Sequence, residues 1–247
     1  MKLTILLLIP SFLCAQTKVG IGTTTPDSTL TIVGGLRIVT GGQGAGKVLV
    51  SDANGGARWQ NLPGANTVLL FGDSITQDPV GWANIFCNNH SFIKDDRAVI
   101  GSVMTQNLQS LPAFDINTVP LYNPSVHKYL FMCYGVNDIN NYGTVSAFQT
   151  SYDSAIVRIL AKGYPPSKIV ILSEWFFDPA QFWSATVKQQ FVTATATVAA
   201  AHGCISINVY NPVLSEPNNY TYMADQLHPN DIGKVRWAQV VEVGHSF

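Results

Sequence analysis

With 247 residues, 47% of them hydrophobic and 12% charged, the chain has the composition of a globular protein with a sizeable core, which excludes a disordered or fibrous one. Fourteen Lys and Arg against fifteen Asp and Glu leave a formal charge of −1, so no general electrostatic pull toward nucleic acid or anionic lipid is expected. The length suits one ordinary domain and something extra, since domains mostly run about 100–200 residues.

The first residues, "MKLTILLLIPSFLCAQ", carry a lone Lys2, an apolar run from Leu3 to Leu13 and a small residue at Ala15. That is the layout of a secretory signal over residues 1–15, and it predicts a secreted or cell-surface protein. Cys14 raises the alternative of a lipoprotein anchor, against which the bulky Phe12 and Leu13 stand. The run is shorter than the roughly 20 residues of a membrane span, and no later segment is long enough, so no transmembrane span is expected. Once the leader is removed, Cys87, Cys133 and Cys204 remain, an odd number that leaves at least one thiol unpaired. Cys133 and Cys204 lie in apolar, strand-like runs and read as small buried hydrophobes.

Residues 16–63 change in character. Short β-type runs are punctuated by Gly, Thr, Asn and Asp with no helical period, so the segment reads as β-hairpins or a thin β stalk, too small to bury a core alone. Its phrases "VGIGTTTP" and "GAGKVLVSDANG" resemble the shaft segments of tail-fibre and adhesin-like surface proteins, and that resemblance implies a homo-oligomer, a trimer, as its assembly. "GGQGAGK", Gly41 to Lys47, has the glycine and lysine spacing of a phosphate-binding loop. Val48 stands where a magnesium-binding hydroxyl belongs and a β run follows, so no nucleotide cofactor is expected.

Over residues 64–247, strands and helices alternate. The predicted strands are Thr67 to Phe71, Arg97 to Ile100, Lys128 to Tyr134, Lys168 to Ser173 and Cys204 to Tyr210; the clearest helices are Val145 to Lys162, Ser184 to His202 and Asp231 to Val243. Apolar strands without polar alternation, separated by helices, predict a five-stranded parallel sheet in a three-layer α/β/α sandwich, flavodoxin-like.

Sites in such sheets form beyond the carboxyl ends of the strands. The first strand delivers Gly72, Asp73 and Ser74 there; the second delivers Gly101 and Ser102; the third delivers "GVND", Gly135 to Asp138; the fifth leads to "DQLHPN", Asp225 to Asn230. Acyl transfer from an ester needs a hydroxyl nucleophile, a base, a group that orients the base, and donors for the oxyanion. Every part is present, and His228 has a carboxylate, Asp225, three residues earlier, a spacing that can turn both side chains the same way. Each residue has a plainer reading: Gly-Asp-Ser as a turn with Asp capping a helix, Asn137 and Asp138 as turn formers, His228 as the start of a helix.

"GDSIT" (Gly72 to Thr76), Gly101, "GVND" and "DQLH" (Asp225 to His228), in that order over residues 65–247, resemble the four blocks of the SGNH, or GDSL, hydrolases. The resemblance implies Ser74 as nucleophile, His228 as base and Asp225 as its partner. It implies an oxyanion hole from the Ser74 and Gly101 N–H groups and the Asn137 side chain, loop-supporting roles for Asp73 and Asp138, and no metal or cofactor. The expected substrate is an acylated small molecule or polysaccharide, an O-acetylated carbohydrate first. A short-chain lipase or general esterase on the same triad is the alternative among enzymes, and a non-catalytic glycan-binding surface protein the alternative outside them. Trp175, Phe176, Phe177 and Trp183 read as core residues or as a sugar-stacking or acyl-facing wall, and His90, His127, His202 and His245 as surface or packing residues.

Overall fold

The computed structural model of the protein describes residues 18–39, 43, 47–61, 66–108, 110–173 and 183–247. The expected leader, Cys14, most of the phosphate-loop-like stretch, and Trp175 to Phe177 lie outside those residues. The chain divides into two compact units, Met1–Gln60 and Asn61–Phe247.

In the first unit β1 (Val19–Ile21) pairs in parallel with β2 (Leu30–Ile32), and β3 (Lys47–Ser51) pairs with β4 (Ala57–Asn61). The second pair is tied by Asp52, whose carboxylate accepts from the Asn54 and Gly56 N–H groups at 2.9 Å each. The first pair corrects the hairpin expectation. Asp27, Ser28 and Thr31 close a hydrogen-bonded turn that leads into β2, which runs parallel to β1. Val19, Ile21, Leu30 and Val33 are all exposed.

The second unit is built on a five-stranded parallel sheet. Its strands are β5 (Thr67–Gly72), β6 (Ile93–Asp96), β7 (His127–Cys133), β8 (Ile169–Leu172) and β9 (Ile205–Ile207), in the spatial order β6-β5-β7-β8-β9. β5 is buried throughout, as a strand covered on both faces must be. One layer holds α2 (Trp82–Asn89) and α7 (Asp231–Gly244), whose Trp82 and Trp237 rings stack at 5.3 Å. Phe131 of β7 reaches into this layer against Trp82 and Phe86. The opposite layer holds α4 (Val145–Ala161) and α5 (Ala185–His202), joined by Phe148 against Phe191 at 4.9 Å, and Tyr152 of α4 donates to the Met132 carbonyl. Short helices follow three of the strands: α1 (Ser74–Gln77), α3 (Val136–Asn140) and α6 (Tyr210–Leu214). Together these make the expected three-layer α/β/α sandwich.

The second strand corrects the sequence reading. It is "IKDD", Ile93–Asp96, and not Arg97 to Ile100. As an edge strand it has one paired side, and charge on an edge discourages further pairing, so Lys94, Asp95 and Asp96 fit there although they lack β propensity. Arg97 folds back to clasp Asp95 through two hydrogen bonds of 2.9 and 2.8 Å, and Asp96 accepts from the Ala98 N–H. Those turns take "RAVI" out of the strand, yet its Arg97 and Val99 N–H groups still donate to Leu70 and Gly72 of β5. Cys87 and Cys133 are buried and Cys204 is half-buried; burial pushes the Cys87 and Cys204 thiols up to about 11. No helix of the described residues is long and apolar enough to cross a membrane.

Candidate active site

The site grows out of the end of β5. Gly72 closes the strand with Cys133 of β7 in register beside it. A Cβ on Gly72 would stand 2.8 Å from the Cys133 carbonyl oxygen and 2.4 Å from the Thr76 hydroxyl, so only glycine lets the chain turn there. Asp73 then caps α1, accepting from the Ile75 N–H at 3.0 Å. Ser74 becomes the first residue of that helix, where backbone N–H groups have no partner within the helix. The abrupt change from apolar strand to Gly-Asp-Ser therefore stands a half-buried hydroxyl on the rim of the sheet, on a residue whose N–H has no partner within the helix.

Ser102 draws the second and third blocks onto the first. Its hydroxyl donates to the Gly72 carbonyl at 2.8 Å, and its own carbonyl accepts from Asn137 Nδ2 at 3.1 Å. Gly101, just before it, has φ +72°, the left-handed region that favours glycine, and no described residue accepts from its N–H. Asn137 sits in the first turn of α3, and since an amide carries two N–H donors, the bond to Ser102 fixes the plane in which the second points. Beneath this, buried Asp138 accepts from the Met104 and Thr105 N–H groups at 3.0 and 2.7 Å, holding the second block against the third. Asp73 and Asp138 thus hydrogen-bond loops, as the sequence suggested. Burial pushes the Asp73 carboxyl up to about 7, aided by the Asp138 charge and opposed by the Ile75 N–H; burial likewise raises Asp138 against its hydrogen bonds from Thr105 and Met104.

The last block arrives from the far end of the chain. Ser74 Oγ lies 3.2 Å from His228 Nε2, and His228 Nδ1 lies 2.9 Å from Asp225 Oδ2. The other Asp225 oxygen accepts from the Leu227 and His228 N–H groups at 2.7 and 2.6 Å. Burial works to raise the Asp225 carboxyl, but its bonds from the His228 N–H and ring and from the Leu227 N–H outweigh it and hold the group below its ordinary value. The structure thus brings Ser74, His228 and Asp225 into one hydrogen-bonded chain, and through Ser102 ties the Gly101 and Asn137 segments to Gly72 at the end of β5.

Sequence reasoning overlooked three supports. Ser102 was visible only as a serine after a glycine. Gln77 accepts from the Ile100 N–H at 3.1 Å and so pins the Gly101 loop to α1. Asn230, the last residue of "DQLHPN", caps α7 through the Gly233 N–H while its amide donates to the Thr221 and Met223 carbonyls, which braces the loop bearing Asp225 and His228. An Asn before a helical run was the available signal for that one. The other histidines play packing parts: buried His127 bonds Tyr164 at 2.9 Å, and His202 finds a carboxylate on a neighbouring helix, Asp153, at 2.7 Å. Among the described residues no cluster of His, Cys, Asp and Glu could hold a metal ion.

Residues 70–235 match the GDSL-like lipase/acylhydrolase family. No curated protein matches the chain. Among solved structures, the lipase/acylhydrolase from Enterococcus faecalis is similar with a TM-score of 0.58 at 20% identity, over 72% of this chain and 95% of that one. The acetylxylan esterase Axe2 from Geobacillus stearothermophilus gives 0.55 at 13% identity, over 75% and 96%. The psychrotrophic esterase EstA from Pseudoalteromonas sp. gives 0.54 at 15% identity, over 72% and 96%. At such identities these three share the fold with this chain.

Proposed function

This chain belongs to the GDSL-like lipase/acylhydrolase family and is an ester-bond hydrolase, and from that premise we propose that it works through Ser74, His228 and Asp225 on O-acetyl groups of carbohydrate. The observation that carries the proposal is the unbroken relay from Ser74 Oγ through the His228 ring to Asp225.

In the proposed reaction Ser74 Oγ attacks the ester carbonyl carbon while His228 Nε2 takes the hydroxyl proton. Asp225, kept anionic by its backbone donors, holds the His228 tautomer that presents a bare Nε2. Negative charge collects on the carbonyl oxygen, where the Ser74 and Gly101 N–H groups and the free N–H of Asn137 donate to it. Collapse breaks the bond to the alcohol oxygen, which leaves with the proton from Nε2. Water then repeats the cycle on the acyl-serine, giving its proton to His228, and acetate departs as Ser74 recovers its hydrogen. The acetylxylan esterase with this fold supports the carbohydrate ester as substrate class.

The apolar run of residues 1–15 supports export, so the substrate is met outside the cell. The exposed Val19, Ile21, Leu30 and Val33 support the reading of the first unit as a stalk through which copies associate, with three copies as the expected number. Light scattering on the full chain tests that number.

Ser74→Ala should leave a folded protein whose esterase activity is lower by at least about 10³-fold, and a serine-directed phosphonate should label Ser74 alone. Labelling at another serine, or unchanged turnover, removes the assignment. Acetate release from acetylated polysaccharides, set beside p-nitrophenyl esters of increasing acyl length, separates the carbohydrate esterase from a short-chain lipase.

A further inference from the structure

Beyond the relay, the same rim presents an aromatic pair that the acyl-transfer chemistry does not use. Tyr142 follows α3, the helix that carries Asn137, one residue past the C-cap Asn141. Its backbone has φ +63°, and the other described non-glycine residues with positive φ are serines and asparagines, small side chains that hydrogen-bond locally. A bulky residue in that region is an outlier, and such outliers cluster at functional sites. The conformation holds the Tyr142 side chain out in solvent, 74% exposed, where a packing role would have buried it. Trp183 braces the ring edge-on, centroids 5.5 Å apart at 80°, and is itself packed against the core. A stacking face, aimed outward and stiffened from behind, results.

Just past these two rings begin α4 and α5, at Val145 and Ala185, and between those helices runs a groove of about 1130 Å³. Its walls carry the amides of Gln149, Gln189 and Gln190 and the Thr150 hydroxyl, interleaved with apolar surface from Val145, Ala185, Ala194 and Leu214. Its one carboxylate, Asp153, is engaged by His202. An acyl chain would want a continuous apolar wall and an anion would want Lys or Arg. Planar amides and hydroxyls interleaved with apolar surface suit a chain of rings that have one apolar face and many hydroxyls.

We propose that Tyr142 and Trp183 form a stacking platform for a sugar ring and that the groove between α4 and α5 is a second carbohydrate subsite, so that the enzyme takes its ester from an oligomer and not from an isolated sugar. This rests on the reading of the enzyme as a carbohydrate esterase. The platform sets the specificity, and the groove extends it along the chain.

The test compares kcat/KM on an acetylated disaccharide, a long acetylated xylooligosaccharide, p-nitrophenyl acetate and p-nitrophenyl butyrate. The wild-type enzyme should prefer the long oligomer to the disaccharide. Tyr142→Ala and Trp183→Ala should each lower activity on the oligomer relative to p-nitrophenyl acetate by about tenfold, the size of one aromatic contact, and mainly through KM. Tyr142→Phe, which keeps the ring, should restore the ratio, and the pair Gln149→Ala with Gln189→Ala should erase the preference for length. A wild type that cleaves the p-nitrophenyl esters and no acetylated sugar overturns the carbohydrate reading, and this inference with it. Cleavage of the oligomer with the ratio unmoved in Tyr142→Ala overturns the inference alone. So does a change in the acetate-to-butyrate preference of Tyr142→Ala, because the ring would then touch the acyl group, and so does a wild type indifferent to oligomer length.

Discussion

At the scale of single residues, Asn137 holds one bond in the structure and, in the proposed mechanism, a second, and measurement can separate the two. Its bond to the Ser102 carbonyl is present in the resting protein, whereas donation to an oxyanion exists only in the transition state. Asn137→Ala should therefore lower kcat by about 10² to 10³ while KM changes little, the usual result of losing one such donor. Asn137→Asp should be at least as poor, since a carboxylate repels the oxyanion. Normal turnover with a lowered melting temperature would leave Asn137 a loop support only. Asp73 offers a prediction in pH. Its carboxyl sits at about 7 in the folded protein against 3.8 as the ordinary value, so the folded state keeps a proton that the unfolded chain gives up at lower pH. The stability from that proton is complete in acid and is lost as pH rises through about 7. Asp73→Asn keeps an acceptor for the Ile75 N–H, so melting temperatures should hold while their decline between about pH 4 and 7 flattens. An unchanged slope would place the proton elsewhere.

At the scale of elements, the legible parts were those whose physics is local. β5, β7 and β8 are apolar on both faces, and the long helices α4, α5 and α7 carry uninterrupted periodic runs, so residue type alone marks them. β6 was misread because an edge strand needs one satisfied side and tolerates charge, and the apolar "RAVI" beside it attracted the assignment. The rim residues Ser74, Gly101 and Asn137 could be listed because strand-like runs precede them, and Asp225 and His228 because of their three-residue spacing in "DQLH". What joins them could not: Ser102 bonds Gly72 and Asn137 across 30 and 35 residues, and no local signal encodes such a bond. Asn230 shows the same link between element and site. Asn230→Ala should cost about 1 kcal/mol of stability as a lost cap. Because the same side chain braces the loop of His228, kcat should also fall in the fully folded enzyme at a temperature well below its melting point. A variant less stable but fully active would confine Asn230 to capping.

At the scale of the whole molecule, the second unit has its own sheet, its own core and every residue of the relay. A unit with a core of its own can fold alone. Residues 61–247 expressed by themselves should therefore unfold cooperatively and match the full chain's kcat/KM on p-nitrophenyl acetate; a molten or inactive fragment would tie that core to the first unit. The relay also spans the molecule in time. Ser74 and His228 touch across 154 positions of sequence, the serine made early and the histidine late. At the pace of synthesis, about 5–20 residues per second, about 8–30 s separate the two, and throughout that interval the emerging polypeptide has the proposed nucleophile without the proposed base. A ribosome that stalls, or a protease that clips the chain, before Asp225 yields a product that has Ser74 and lacks the proposed base and its partner. On the proposed mechanism, hydrolysis waits until synthesis has passed His228.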